Sequence, residues 1–485
     1  MQNTPTFVLK SFTGISDYED KGVRGAFKFA RGANIRKRSD TLSANQALVS
    51  LDDSESPLIN QHIYFQVNSS DGDTYLFGTS KIWKQTSAGV LSLVYTDPDG
   101  QICGAAEWSH SNGLFYLFWA TATKLKSKLI TGGEADWSDV NDDIVVGSDT
   151  YTYPKTNLTS TLWHTMVVAN GALNICNKDK MAFVGFDGSY TNESLQLLPG
   201  SVAKTVIDRE DFVVIAAGSN TDALDAYLYA WQQGALTYLK KKKIPAKNIN
   251  ALIEGEVMLM QADTDGDIYF SDFVSFLPVT KFPSGGQVNP GGVLVYDKIA
   301  YFGVFGSDDA SKDGVYSYGR NKKNGIWGMN LEYPITCDEI GSLGIVNGVL
   351  QVAYKNGSNY YLYKIDSTTK QTFVYESLDL VAPLTSSPEL STWSSVKLIL
   401  KKMPASTSLA VKYRMDKVED NSNGGDSNGW VSAMLEGSSA SLSVTGTTQT
   451  EFLIGSVGEI CEIQITGTPS GNNTPEVIRA EVSLG

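Results

Sequence analysis

The sequence predicts an all-β protein in which a β-propeller of about seven blades is followed by a C-terminal antiparallel β-sandwich. Three observations lead to this prediction. Asp-Gly and Asn-Gly turns recur ahead of aromatic strands, apolar strands recur at a spacing of 40 to 58 residues, and the C-terminal part alternates between apolar and polar side chains. The expected domains are a lead-in at 1–57, the propeller at 58–384 and the sandwich at 385–485.

The lead-in carries a basic stretch and no hairpin pattern. Glycines interrupt this stretch, which disfavours a continuous helix. Two interpretations stay open: a solvated face that pairs with the chain's own acids, or a contact with an acidic neighbouring subunit or with DNA passing nearby. The candidate contact residues are Lys21, Arg24, Lys28, Arg31, Arg36, Lys37 and Arg38, with no acid between them.

Five turns of one type predict a series of hairpins. Gly adopts a positive φ without steric cost, and Asp or Asn tolerates the neighbouring position, so these pairs favour tight turns between strands. A tyrosine follows each pair within four residues. The turns are Asp71-Gly72, Asp187-Gly188, Asp265-Gly266, Asp313-Gly314 and Asn356-Gly357.

The strands between the turns repeat. A period of 40 to 50 residues with about four strands is typical of a propeller, because a four-stranded sheet buries both faces only by stacking on its neighbours. A β-sandwich or a parallel β-helix fits this period less well, and the segment 131–160 leaves six or eight blades open. The repeating strands begin at Ile63, Leu114, Ala172, Phe212, Val257, Ile299 and Val349.

A stretch with two prolines and several serines, residues 381–391, separates the repeats from the predicted sandwich. Strands are expected near 395–403, 408–415, 429–434, 451–456, 459–466 and 476–482. Trp393 and Trp430 are candidate platforms for stacking a glycan, with packing in the core as the alternative.

Catalytic and metal-binding signatures are not found in the sequence, and we expect no catalytic residue, metal or cofactor. His62, His110 and His164 are far apart, and the acids of 263–267 lack the glycine and glutamate that complete a calcium loop. The alternative is a glycan-binding or glycoside-hydrolysing propeller with two carboxylates on its axis. Lysines 240–243 are expected in a solvated turn between blades.

The net charge, the hydrophobicity pattern and the cysteines limit which partners and cellular locations are expected. The net charge of −14 argues against nucleic acid as a general partner. The chain has no apolar run long enough for a membrane helix, and its start lacks the pattern of a signal peptide. Because the four cysteines are widely spaced, we expect buried free thiols and synthesis in a reducing cytoplasm.

Two regions resemble tail proteins of bacterial viruses, in particular propeller-bearing hub or nozzle proteins of short-tailed phages. Residues 12–25 (FTGISDYEDKGVRG), 33–38 (ANIRKR) and 42–48 (LSANQAL) resemble the lead-in before the propeller of such proteins. Residues 396–400 (VKLIL), 411–414 (VKYR), Trp430 and 474–477 (TPEV) resemble their terminal sandwich.

This resemblance implies a structural role in the virion tail after assembly in the host cytoplasm. Other tail proteins would be the partners, and the chain would form a cyclic homo-oligomer, with a hexamer as the first expectation. The inner surface of that ring would line the DNA exit path. The family contributes no catalytic residues.

Overall fold

The structure is a computed structural model that describes residues 6–16, 25–35, 40–52, 58–111, 113–130, 137, 140–209, 212–219, 225–321, 325–382, 391–435 and 439–485. Over these residues the chain is all-β, as predicted, with strands, two short 3-10 helices (Ala310–Lys312 and Asn421–Asn423) and no α-helix. None of the described segments forms a helix that could cross a membrane.

The chain divides into two compact units that are not continuous in sequence. We call Ser50–Asp313 with Thr336–Lys364 the repeat unit, and Met1–Val49, Gly314–Ile335 and Ile365–Gly485 the terminal unit. The residues expected to form a separate lead-in therefore belong mostly to the same unit as the C-terminal strands.

Short strands occur in the first fifty residues. They are β1 (Thr6–Leu9), β2 (Gly14–Ile15), β3 (Ala26–Phe27), β4 (Phe29–Arg31) and β5 (Gln46–Ser50).

From residue 63 the strands form successive groups, and within each group neighbours in sequence are hydrogen-bonded neighbours in space. The groups are β6–β9 (Ile63–Asn68, Thr74–Gly78, Lys81–Gln85, Leu91–Thr96), β10–β12 (Ile102–Ser109, Phe115–Thr121, Leu125–Leu129), β13–β14 (Ile144–Val146, Asp149–Tyr151), β15–β18 (Met166–Ala169, Ala172–Asn177, Lys180–Val184, Tyr190–Gln196), β19–β22 (Ser201–Arg209, Phe212–Ser219, Ala226–Trp231, Lys240–Ile244), β23–β26 (Ile249–Glu254, Met258–Ala262, Asp267–Ser271, Phe276–Lys281) and β27–β28 (Gln287–Tyr296, Ile299–Phe305).

The later strands follow in chain order, and many of those after β33 are hydrogen-bonded to strands that are not their neighbours in sequence. They are β29–β30 (Gly314–Arg320, Trp327–Pro334), β31–β33 (Glu339–Val346, Val349–Asn356, Asn359–Lys370), β34–β35 (Phe373–Glu376, Leu380–Val381), β36–β37 (Ser391–Leu400, Ser408–Met415), β38–β40 (Val431–Ser432, Met434–Leu435, Ser441–Leu442) and β41–β43 (Gln449–Gly458, Ile460–Thr468, Val477–Leu484).

The seven predicted anchors fall on seven of these groups, and the β13–β14 hairpin and the β29–β30 pair carry none. Ile63 opens the first strand of its group, and each of the other six lies at the start of a second strand. Within 131–160, the described residues form only the β13–β14 hairpin and no further four-stranded sheet.

The predicted turns join consecutive strands, and their glycines have positive φ. They do not occupy one equivalent place. Asp71-Gly72 joins the first and second strands of its group and Asp187-Gly188 the third and fourth, whereas the other three follow a second strand.

The first strands of the seven anchor-bearing groups are β6, β10, β15, β19, β23, β27 and β31. Each of them contacts the next in this order, and β31 contacts β6. Most of these strands carry a β-bulge near their start, which leaves residues without a partner on the second strand. The extra residues are Tyr64, Cys103, Lys204, Asn250, 289–292 and Gly341.

Glycine at one of these positions, Gly341, and directly after another, Gly104, permits close approach of a neighbouring backbone. A Cβ on Gly104 would lie 1.8 Å from the carbonyl oxygen of His164, and one on Gly341 would lie 2.1 Å from that of Ile63. Real Cβ atoms do not come this close to backbone oxygen, so the spacing of the first strands depends on glycine.

The terminal unit has one core shared by strands from both ends of the chain. One sheet has the order β1-β43-β36-β41-β39, and in the other β4 lies beside β34, followed by β42, β37 and β38. Phe12 and Phe27 contact the ring of Tyr375 edge-on at 5.2 and 5.4 Å. Leu42 and Val477 exchange backbone hydrogen bonds of 2.8 and 2.9 Å.

Candidate functional site

A half-open pocket of about 410 Å³ lies among the first strands β6, β10, β27 and β31 of the repeat unit. Its volume is within the range of small-molecule sites. The wall is mainly apolar, with two side-chain amides and no carboxylate among its lining residues. Those residues are Phe65, Gln66, Val67, Asn68, Ala105, Gly291, Val293, Leu294, Val295, Tyr296, Leu343, Gly344 and Ile345.

The bulge at 289–292 brings the wall of this pocket against β6. A Cβ on Gly291 would lie 1.9 Å from the carbonyl oxygen of Tyr64, so the two backbones touch. β27 therefore contacts β6 directly, although β31 comes between them in the order of first strands. This contact brings the backbones of β27 and β6 together at the level of the bulge.

The polar side chains that line the pocket are two amides, Gln66 and Asn68, and the hydroxyl of Tyr296. Gln66 Nε2 donates to Ser342 Oγ at 3.2 Å, and Asn68 Nδ2 donates to the carbonyl of Ile345 at 2.7 Å. Gln66 Oε1 is buried and has no donor among the described residues. The pocket offers hydrogen bonding and apolar contact, and its lining residues include no carboxylate and no histidine.

A second polar cluster lies at the starts of β6 and β31. Glu339 Oε1 accepts a hydrogen bond from Asn289 at 2.7 Å, while its Oε2 lies 3.6 Å from His62 Nε2. The His62 ring is 4.7 Å from the Tyr64 ring, and Tyr64 is 5.6 Å from Trp163.

The environment of this cluster keeps its histidine neutral. Burial, followed by repulsion from Lys355, lowers the pKa of His62 to about 4. Burial and the Glu339 charge raise the pKa of Tyr64 to about 12. The arrangement supplies one carboxylate, whereas glycoside hydrolysis uses two.

Of the predicted basic contact residues, two lie in the described part of the chain. Lys28 Nζ is 2.6 Å from Glu462 Oε1, within the terminal unit. Arg31 is half-buried on β4, where its backbone pairs with Val374 of β34. For Lys28 the structure agrees with pairing to the chain's own acids. Lys21, Arg24, Arg36, Lys37 and Arg38 lie outside the described residues.

Glu462 is the centre of a charged network that the sequence did not reveal. Its carboxylate is fully buried and also accepts from Arg414 Nε at 2.6 Å. Burial by itself raises the pKa of Glu462, but Arg414 and Lys28 outweigh it and hold that pKa below its ordinary value. Lys28 is 434 positions from its partner, and no local pattern marks such a pair.

Both candidate glycan-stacking residues pack inside the terminal unit. Trp393 is fully buried, stacks on Phe7 at 5.5 Å and donates to the carbonyl of Gly458 at 3.0 Å. Trp430 is 5% exposed, with the Arg414 guanidinium 4.7 Å from its ring centre. These positions agree with the core-packing alternative.

The acids at 263–267 hold a turn. Asp263 accepts backbone hydrogen bonds from Lys247 and Asn248, the latter at 2.7 Å.

His164 has protein partners for its ring rather than a metal-binding cluster. Its ring nitrogens lie 2.7 and 3.1 Å from the carbonyls of Cys176 and Ala122. No cluster of three or more His, Cys, Asp or Glu side chains suited to a metal occurs in the described ranges.

No protein-family model and no curated protein matches the sequence. A solved structure described as "Crystal Structure of Mitotic Checkpoint Complex" is similar at 12% identity and a TM-score of 0.46, over 66% of this chain and 95% of that one. The extracellular domain of the putative hybrid two component system BT4673 from B. thetaiotaomicron is similar at 11% identity and a TM-score of 0.44, over 74% of this chain and 44% of that one. Similarity at this level carries no argument about function.

Proposed function

We propose that the repeat unit is a closed seven-bladed β-propeller and that the terminal unit is a β-sandwich. The support for closure is the order of contacts among the first strands. Each first strand from β6 to β31 contacts the next one, and β31, the last of the seven, contacts β6, the first. The support for the sandwich is that Trp393 and Val396 of one sheet share a core with Val411 and Ile463 of the other.

We further propose that the protein is a structural subunit of a phage virion tail, of the hub or nozzle type, which contacts neighbouring subunits in a ring. One observation carries this proposal. The two regions that resemble phage tail proteins are separated by more than three hundred residues, yet they fold into one core. Ala44 N donates to Thr474 Oγ1 at 3.1 Å, and Leu42 pairs with Val477.

The chemistry of the repeat unit favours this role over glycoside hydrolysis. A retaining enzyme needs two carboxyl groups about 5 Å apart and an inverting enzyme needs them about 6–10 Å apart. The lining of the pocket contributes none, and the neighbouring cluster contributes Glu339 alone. In the proposed ring, any surface that guides DNA would be formed between copies rather than inside one propeller, because Gly291 meets Tyr64 across the first strands.

Two experiments test the proposal. Cryo-electron microscopy of purified phage particles locates the chain, and native mass spectrometry measures the mass of the assembly that the recombinant chain forms. We expect density for the propeller and the sandwich in a ring on the tail axis. Particles without that density would refute the tail role. Release of sugar from a panel of host glycans, abolished by Glu339→Gln, would instead support the enzymatic alternative.

A further inference from the structure

The outer strand of one group in the repeat unit is almost entirely lysine. β22 contains lysines 240–243 and is the last strand in the order β19-β20-β21-β22, so one of its sides has no strand partner in that sheet. The sequence suggested a solvated turn here. The segment is instead a strand, because five residue pairs from Ala226↔Ile244 to Ala230↔Lys240 register it against β21.

The lysines of β22 are held in place by neighbouring groups. Lys241 lies over the rings of Tyr227 and Tyr238, at 5.2 and 5.9 Å from their centres. Lys243 forms an ion pair with Asp225 at 2.5 Å. Lys242 donates to the carbonyl of Val274 at 3.3 Å, which connects β22 to the turn between β25 and β26.

Exposed apolar side chains lie just before β22 in the sequence and in the β25–β26 segment that Lys242 contacts. Leu236 is 90% exposed and Leu239 is 57% exposed, both just before β22. Val274, beside Lys242, is 77% exposed, and Leu277 on β26 is 56% exposed. Lysines on an exposed edge strand can by themselves be explained as protection against pairing with a strand of another chain. That explanation does not account for four exposed aliphatic side chains beside them, which are typical of a protein contact.

We propose that this basic–apolar edge, formed by Leu236, Leu239, lysines 240–243, Val274 and Leu277, docks an acidic surface of a second copy of the chain. Lysines with aliphatic neighbours suit a protein partner better than nucleic acid, because the charged phosphate backbone offers no apolar surface against which leucine and valine could be buried. Another copy supplies the complementary charge, because the chain has 53 acidic and 39 basic residues.

The contact is heterologous, since a basic edge on one copy meets a different, acidic surface on the next. Heterologous contacts generate closed rings when the rotation between copies closes. The inference thus rests on the proposed ring assembly and assigns the surface that forms it.

The test compares the full chain with Lys240→Glu/Lys242→Glu by native mass spectrometry and sedimentation velocity at low and high salt. The control, Lys10→Glu/Lys402→Glu, makes the same change of net charge at two exposed lysines of the terminal unit. We expect the wild type and the control to assemble, with assembly weakening as salt rises. The edge variant should associate at least tenfold more weakly, and Leu236→Ser/Leu239→Ser should weaken association with less dependence on salt.

The outcomes separate this inference from the proposed function. Rings that persist unchanged in the edge variant would overturn the assignment of the edge and leave the tail role intact. A monomeric wild-type chain would also overturn the assignment, while cryo-electron microscopy of particles would decide the tail role independently. Near-ultraviolet circular dichroism confirms that each variant is folded, so loss of assembly is assigned to the edge.

Discussion

Lys28 provides the sharpest test of how the basic lead-in works. Its ammonium contacts the buried carboxylate of Glu462, and Arg414 contacts the same carboxylate. In Lys28→Met the aliphatic stem is retained and the charge is lost, so Glu462 keeps one partner of two. A hydrogen bond to a charged group contributes about 1.5–3 kcal/mol. Because Lys28 is 26% exposed, we expect a loss of about 1.5 kcal/mol, at the lower end of that range.

Removing the shared carboxylate should cost more. Glu462→Gln removes the fully buried carboxylate that Lys28 and Arg414 share, while Arg414 keeps Glu419 at 3.3 Å, so a loss of about 3 kcal/mol is expected, at the lower end of the range for a broken buried ion pair. The matched control is Lys10→Met, at an exposed lysine of the same unit, which should change stability by less than about 0.5 kcal/mol. Urea unfolding followed by tryptophan fluorescence measures all three variants.

The dependence on pH follows from the lowered pKa of Glu462. A carboxyl group whose pKa is lower in the folded state stabilises the fold fully above its unfolded pKa, near 4.5, and loses that contribution as the pH falls through the folded value. The difference in free energy of unfolding between the wild type and Lys28→Met should therefore be constant from pH 7 to about pH 5 and become smaller in stronger acid. If Lys28→Met unfolds like the wild type but no longer assembles, Lys28 is a docking residue and the structural reasoning is refuted.

Three further predictions concern the repeat unit and the buried thiols. Gly291→Ala places a Cβ against the Tyr64 carbonyl and should destabilise the protein by about 3 kcal/mol in urea unfolding, whereas Gly255→Ala, whose Cβ would lie 3.7 Å from Val295, should be nearly neutral; equal effects would contradict the close contact. His62 has its pKa lowered to about 4, so its ring binds more protons in the unfolded state between pH 6.5 and 4, and the free energy of unfolding of the wild type should fall by about 3 kcal/mol more than that of His62→Gln as the pH drops across that window. Burial raises the pKa of Cys103 to about 11 and of Cys337 to about 12, so all four buried thiols should react with Ellman's reagent only after denaturation, and rapid labelling of the native chain would show that one is accessible.

The parts of the fold that the sequence predicted depend on local chemistry. A positive φ is needed at Gly72 and Gly266, and an Asp-Gly pair is the ordinary way to provide it. The anchors at Ala172 and Val349 open strands because apolar residues follow an Asn-Gly turn directly. Such signals lie within a few residues of the structure that they specify.

The features that escaped prediction depend on distant partners. Nothing near Lys28 marks Glu462 as its partner, and nothing near Trp393 indicates that Phe7 will stack on it. β22 was missed because four lysines have low strand propensity, and pairing with β21 overrides that preference. The bulge at 289–292 is likewise defined by its contact with Tyr64, more than two hundred residues earlier.

The sharing of one sheet by the two ends of the chain has a consequence during synthesis. Thr6 on β1 pairs with Ser483 on β43, so β1 has no partner in this sheet until β43 has been made, more than four hundred residues later. At about 5–20 residues per second, that wait is roughly half a minute to a minute and a half. A chain that stops early would lack β43 and leave the terminal unit without a complete core. The sheet of the terminal unit can thus be completed only after β43 has been translated.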